Sequence, residues 1–401
     1  MGVKGLRPII ELFAAMCMKK REYKNYRGTI QSMDTPIILY RFCIAIMNTE
    51  NFKTKTGEVI GHLFACFFKS LAMLRYGIMP IWVFDGIPPK MKQPTLNERR
   101  KNKETALNKM ANGNLDNDEK NKLAKRTFTV SSKHIEEIKY LLKLLGLPYT
   151  ESPGEAEAQC AALNIANVSN GVVTEDWDAI LFGCNTMLKD FSNKSYVTEI
   201  DGIELLRSLG MTREQLIDLG TILGNDYCVG IGGLRPVDAY LKFKSCNFIM
   251  SNFLEHLKNE NKINHHTKYK IPENFLDQWV VAREYYLHAP VVDPKGVSVV
   301  WNEPNYEELR KYLVEIKKFK TDMIVPKIDE LRLMYNRYIS NGKELVTLSR
   351  IKKELKMPYS YELFREQTNT NANINSTIIS NPNRYLDYFM EIINKTILVQ
   401  T

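Results

Sequence analysis

Gly171-Val172-Val173-Thr174-Glu175-Asp176-Trp177-Asp178 is a short apolar run that turns acidic where a strand would stop. Two other stretches do the same. Gly28-Thr29-Ile30-Gln31-Ser32-Met33 runs into Asp34, and Met79-Pro80-Ile81-Trp82-Val83-Phe84 runs into Asp85. Helical patterns lie between them: Ser131 or Ser132 can cap a helix whose Ile135, Ile138, Leu141, Leu142 and Leu145 recur every three or four residues, and Gly146 and Pro148 stop it. Strand and helix alternate, which predicts an α/β sheet. Ligands of open parallel sheets sit at the carboxyl ends of the strands, and that is where these acids fall.

Further along, the runs at 187–191 and 196–200 flank Ser192-Asn193-Lys194 and read as a hairpin. Thr212-Arg213-Glu214-Gln215 is a capping box that opens a helix toward Leu223. From about position 258 the chain is rich in Lys and Glu and helical by pattern. It gives way to an Asn/Thr/Ser-rich linker at 368–383 and a short apolar-periodic piece at 385–399.

The 401 residues are 44% hydrophobic and 25% charged, which excludes disordered and collagen-like chains and leaves ample length for a packed core. Seven cysteines without a C-x-x-C pair argue for reduced thiols inside a cell and against a disulfide framework or a structural zinc site. No run of about 18 apolar residues is present, so no membrane-spanning segment is expected. The net charge of +9 is unevenly distributed. Between 90 and 126 eleven basic residues face five acidic ones, whereas 144–188 holds no Lys or Arg but carries Glu151, Glu155, Glu157, Glu175, Asp176 and Asp178. This segregation suggests a cation site beside a polyanion site.

Asp34, Asp85, Glu155, Glu157, Asp176, Asp178 and Asp226 are seven acids expected to converge on one sheet edge. Carboxylates that close raise one another's pKa, and hard divalent cations relieve the repulsion. All-oxygen ligation favours Mg²⁺ or Mn²⁺ over zinc. Two ions about 3.5–4 Å apart would activate water and stabilise the leaving oxygen of a phosphodiester. Glu155 and Glu157 cannot share a mid-helix face, being about 200° apart there. Pro153 and Gly154 place them at a strand-to-helix junction instead. Asp176 and Asp178 have the same spacing just past a strand, where extended backbone would put them on one side.

With these motifs in hand, the chain resembles the flap endonuclease family of structure-specific 5′ nucleases over positions 1 to about 308. The resemblance rests on five motifs in order: Met1-Gly2-Val3-Lys4-Gly5-Leu6, Val83-Phe84-Asp85-Gly86-Ile87-Pro88-Pro89, Glu155-Ala156-Glu157-Ala158, Thr174-Glu175-Asp176-Trp177-Asp178 and Leu223-Gly224-Asn225-Asp226-Tyr227. It implies a PIN-like α/β core with a central mostly parallel sheet, a helical arch at about 90–130, a helix–two-turn–helix element at about 216–245 and a helical C-terminal extension. The implied boundaries are 1–256 for the core, 257–367 for the extension and 368–401 for the linker and terminal helix.

The resemblance also implies roles. Glu157 would lie between two Mg²⁺ ions, with Mn²⁺ able to substitute. Asp85 and Glu155 would face one ion and Asp176 and Asp178 the other, while Asp34 and Asp226 would act through water. Lys92 and Arg99 match the catalytic pair at the arch base; seven apart, they would share a helix face, where cations can stabilise charge on the scissile phosphate. Tyr40 would stack on the base beside the cut. Gly2, Lys69, Arg100, Lys103, Gly232, Gly233 and Arg235 would contact DNA.

The expected partner is branched duplex DNA with a 5′ single-stranded flap, cut in replication, repair or recombination. The runner-up is a related 5′ exonuclease or a gap and junction endonuclease. A catalytically inactive junction scaffold would show a lost metal carboxylate, and none is lost. There are departures from the family pattern. The segment from Tyr40 to His62 is shorter than the usual wedge, which bears on a pocket for a 3′ flap. Arg235 stands where a second glycine is usual, so it either crowds the turn or replaces a bound K⁺, and replacement is expected. Asn383-x-x-Leu386-x-x-Phe389-Met390 is a degenerate sliding-clamp box, read as an amphipathic end helix. A monomer is expected, in the nucleus of a cellular host or the cytoplasm of a cell infected by a cytoplasmic DNA virus.

Overall fold

A computed structural model describes residues 2–342 apart from 50–51, 55, 114, 192–195, 264–267 and 341. The linker and terminal helix expected at 368–401 lie outside the described residues, as does the hairpin turn Ser192-Asn193-Lys194. Seven strands form one sheet: β1 (Met18–Glu22), β2 (Ile30–Asp34), β3 (Met79–Phe84), β4 (Tyr149–Glu151), β5 (Gly171–Val173), β6 (Thr186–Lys189) and β7 (Tyr196–Asp201). Their order is β1-β7-β6-β5-β2-β3-β4. The five strands from β6 to β4 are mutually parallel, and β7 and β1 extend the sheet antiparallel at one side.

Every residue of β2 and β3 is buried, as expected of central parallel strands covered on both faces by helices. Around them Met33, Leu39, Leu63, Phe67, Ile81, Trp82, Leu142 and Val172 form the centre of the core. Trp82 Nε1 donates to Ser70 Oγ at 3.2 Å, so the largest core side chain keeps its polar atom satisfied. The register then does the functional work. Asp34 pairs with Val83, Met33 with Val173, and Phe84 with Glu151, so the parallel strands end together and release their acids at one edge.

Two exposed helices, Gln93–Asn112 and Asn117–Thr127, pack on each other to form the arch, with Ala106 and Leu123 buried. The second opens with a capping box between Asp116 and Glu119. The helix foreseen after Ser131 runs Ser132–Leu144, and Ser131 is its cap. The capping box at Thr212 opens the helix Arg213–Leu223, Gln215 supplying the reciprocal bond.

The described residues form one compact unit, and the boundary expected at 256/257 falls inside the helix Met250–Ile263. Helix Phe275–His288 packs on Arg213–Leu223, where buried Asp218 accepts from Trp279 Nε1 at 2.6 Å and Arg283 at 2.5 Å. Trp301, buried, donates to the Leu145 carbonyl at 2.9 Å. Apolar burial and these internal polar contacts tie the extension to the core.

Candidate active site

Six elements bring the acids together. Asp34 is the last residue of β2 and Asp85 follows β3. Glu155 is the N-cap of helix Ala156–Ile165 and Glu157 lies in its first turn, as the Pro153-Gly154 reading required. Asp176 follows β5. Asp178 does not continue an extended segment as expected, because it starts the short helix Asp178–Leu181. Asp178 N–H donates to Asp176 Oδ1 at 3.2 Å, so the two acids meet through a turn, not a shared strand side. Asp226 lies beyond helix Arg213–Leu223.

Oxygens of Asp85, Glu155 and Glu157 lie within 4.8 Å of one another. Asp34, Asp176 and Asp178 are each almost fully buried. Burial pushes the Asp34, Glu157 and Asp178 carboxyls well above the ordinary range, and neighbouring acids push further. Asp85, Glu155 and Asp176 are raised as well, again by burial first. Among the described residues, Oδ1 of Asp34 and Oδ1 of Asp178 are buried without a hydrogen-bond partner. Such orphaned anionic oxygens, crowded and exclusively of carboxylate type, fit a hard divalent cation.

The main counterweight is Lys92. Its ammonium bonds Glu155 and lies 3.4 Å from Asp226, and these acids with Glu157 raise its pKa against the cost of burial. Arg99 makes a bidentate contact to Asp226 at 2.8 and 2.9 Å. The two cations therefore meet on one carboxylate. Lys92 ends the turn Lys90–Lys92 and is the N-cap of helix Gln93–Asn112, which carries Arg99.

Gly2 sits over the acids. A Cβ there would lie 1.7 Å from Asp176 Oδ1, and the backbone has φ +79°, so both space and conformation require glycine. Tyr40 lies in helix Thr35–Ile46, its hydroxyl donating to the Lys125 carbonyl at 3.3 Å and its ring 6.3 Å from Phe128. It thereby joins the core to the descending limb of the arch. Arg100 is exposed, and Lys103 bonds Thr129 at 2.5 Å across the arch base. Between Tyr40 and His62, Phe52 is buried and an isolated bridge joins Lys53 to Val59.

At the turn of the helix–two-turn–helix element, Gly232 exchanges backbone hydrogen bonds with Lys270 at 3.0 and 2.9 Å. Gly233 has φ +78°, and a Cβ on it would meet the Lys268 carbonyl at 2.1 Å. Arg235 does not crowd this turn. Its side chain is 84% exposed and its guanidinium contacts Asp238 at 2.7 and 3.3 Å from the N-cap position of helix Pro236–Ser245. Lys69 corrects the sequence reading. It is 5% exposed, with its ammonium 4.6 Å from the Phe191 ring centre, because its helix Gly61–Arg75 is buried on both sides and turns this position inward. It cannot touch DNA from there.

The sequence reading missed a supporting layer. Thr174 Oγ1 donates to Asp34 Oδ2 at 2.5 Å and accepts from Asp176 N–H at 3.0 Å, a role its place beside two acids at a strand end could have suggested. Tyr286, from helix Phe275–His288, faces the Asp178 carboxylate, and no local signal in the sequence announces it.

Comparison with known proteins agrees with the geometry. The XPG N-terminal domain family matches residues 1–106 and the XPG I-region family residues 146–226. Flap endonuclease 1 of Entamoeba histolytica is 34% identical over 340 residues, covering 83% of this chain and 88% of that protein. Human flap endonuclease 1 is 34% identical over 335 residues, covering 81% and 84%. Among solved structures, flap endonuclease-1 from Methanococcus jannaschii is 27% identical with TM-score 0.61, covering 80% of this chain and 97% of that one. The catalytic core of Rad2 in complex with DNA substrate has the same fold, at TM-score 0.65 and 24% identity over 82% of this chain and all of that one. With its acids, its two cations and its arch in place, the chain belongs to the flap endonuclease family and is a structure-specific DNA nuclease of flaps and branched DNA that uses divalent metal.

Proposed function

We propose that the protein cuts 5′ flaps on branched DNA by two-metal-ion hydrolysis, with Mg²⁺ as the working ion and Mn²⁺ able to substitute. The observation that carries this reading is the crowding of Asp85, Glu155 and Glu157 within 4.8 Å beside Asp34, Asp176 and Asp178, two of which keep a buried oxygen unpartnered. Asp85 and Glu155 would hold one ion, Asp176 and Asp178 the other, and Glu157 both; Asp34 and Asp226 would act through water. When bound, the ions would supply an activated water and charge stabilisation at the leaving oxygen.

The remaining work belongs to the chain itself. Lys92 and Arg99 balance the acids from the arch base and can turn to the scissile phosphate, where negative charge develops in the transition state. Arg100 and Lys103 line the arch with positive charge that tracks a single-strand backbone. Tyr40, hinged between core and arch, offers its ring to the base beside the cut. At the helix–two-turn–helix, exposed Arg235 stands in for a bound K⁺ as the phosphate partner. The protein acts as a monomer.

The test compares a 5′ flap, a gap and a four-way junction side by side, with Asp176→Asn as the control. The flap should be cut fastest. Asp176→Asn should abolish cleavage and leave DNA affinity within about a few-fold, since affinity resides in Lys and Arg contacts to phosphate. Substantial Mg²⁺-dependent turnover by that variant would refute the two-ion assignment, and preference for the junction would replace the flap reading with the resolving one.

A further inference from the structure

Tyr286 lies outside both matched family regions, yet it reaches the metal acids. Its backbone is fixed: Arg213 donates to the Tyr286 carbonyl at 2.6 Å and to the Leu181 carbonyl at 3.0 Å, joining helix Phe275–His288 to the short helix that begins with Asp178. Its ring is 1% exposed and packs between Phe182 and Tyr227, with ring centres 4.9 and 5.2 Å away. The locked backbone and packed ring hold its hydroxyl beside the Asp178 carboxylate, with Asp176 and Asp226 also nearby. Both the hydroxyl and Asp178 Oδ1 are buried, and neither has a partner within ordinary hydrogen-bond geometry among the described residues. Two unpaired buried polar atoms that face one another are costly to leave apart.

We propose that Tyr286 is a positioning residue for Asp178: its phenol donates to one carboxylate oxygen and so turns the other toward a divalent cation. Outer partners of this kind fix the rotamer of a metal-binding carboxylate, and their loss weakens metal binding more than it weakens the fold. A pure packing role predicts something different, because phenylalanine keeps every ring contact and loses only the oxygen. The proposal rests on the two-ion reading of the site.

The experiment measures Mn²⁺ binding by electron paramagnetic resonance, without DNA, in the parent, Tyr286→Phe and Tyr306→Phe. Tyr306 is the comparison because its hydroxyl is likewise buried without a partner among the described residues but lies near Glu303 and Arg332 instead of the metal acids. Tyr286→Phe should bind Mn²⁺ about 10-fold more weakly. Its single-turnover cleavage should fall at limiting Mg²⁺ and recover at high Mg²⁺, while its melting temperature and DNA affinity stay at the parent values. Tyr306→Phe should bind Mn²⁺ as the parent does. Parental Mn²⁺ affinity in Tyr286→Phe, or equal weakening in both variants, would overturn the positioning role. A parent protein that binds no Mn²⁺ would instead overturn the two-ion reading itself.

Discussion

Replacing Lys69 by methionine separates its core environment from the DNA-contact role that the sequence suggested. The ammonium is 5% exposed, and burial pushes its pKa from the ordinary 10.5 down to about 7, with Glu175 offering only partial relief. Each pKa unit corresponds to about 1.4 kcal/mol, so holding the charged form inside costs at most about 5 kcal/mol. The contact with the Phe191 ring at 4.6 Å is part of the environment that keeps the cost from being larger. Between pH 7 and 10.5 the unfolded chain keeps a proton on Lys69 that the folded chain has released, so the stability linked to this residue rises with pH across that window. Below pH 7 both states are protonated and the penalty is constant. Methionine has a similar stem and no charge. Lys69→Met should raise the urea midpoint at pH 6, with a gain of about 2 kcal/mol or more, and the difference from the parent should shrink as pH rises to 10. Binding to a flap substrate, followed by fluorescence anisotropy, should not change. A variant that unfolds at lower urea and binds DNA more weakly would show that the ammonium reaches the surface and that the burial argument is wrong.

Other substitutions probe the site. Gly2→Ala should lower cleavage by at least about 10-fold in single turnover, because its Cβ would collide with Asp176 Oδ1 and its φ of +79° suits only glycine; parental activity would show that the N-terminal segment moves aside. Lys92→Ala should slow single-turnover cleavage by at least about 10²-fold with little change in binding. If affinity falls and the rate constant holds, Lys92 only positions phosphate. Arg235→Gly should weaken duplex binding and flatten its salt dependence by about one phosphate contact, and parental binding should be indifferent to K⁺ versus Na⁺ at equal ionic strength. A strong K⁺ preference in the parent would dismiss the replacement idea.

Much of the protein is legible in its sequence because its signals are local. The three apolar runs ending in acid are β2, β3 and β5, and the caps at Ser131 and Thr212 begin helices where they should. Capping and strand patterns depend on neighbours within a few residues, so they survive translation from sequence to fold. Spacing arguments fared less well where the backbone changes state between the residues compared. Asp176 and Asp178 are two apart but belong to a turn and a helix start, and Lys92 and Arg99 are seven apart but only one is inside the helix. They meet on Asp226 because that residue arrives from a distant part of the chain.

The sequence by itself determined which carboxylates the protein owns, that three of them close apolar strands, and that a strongly basic segment, which the resemblance reads as an arch, accompanies them. Tertiary structure decided everything that depends on facing direction. A lysine on a helix reads as a surface cation until both faces of that helix are covered, which is how Lys69 came to be buried beside Phe191. An arginine in a glycine turn can crowd the turn or stand in for a cation, and only the structure shows its side chain leaving the turn, as Arg235 does. Tyr286 is an ordinary helix tyrosine in sequence and lies 108 positions from Asp178, so only the packing of its helix on Arg213–Leu223 could place its hydroxyl beside that carboxylate. Local patterns set the elements, but the contact between a hydroxyl and an acid over that separation is created only when the core between them closes.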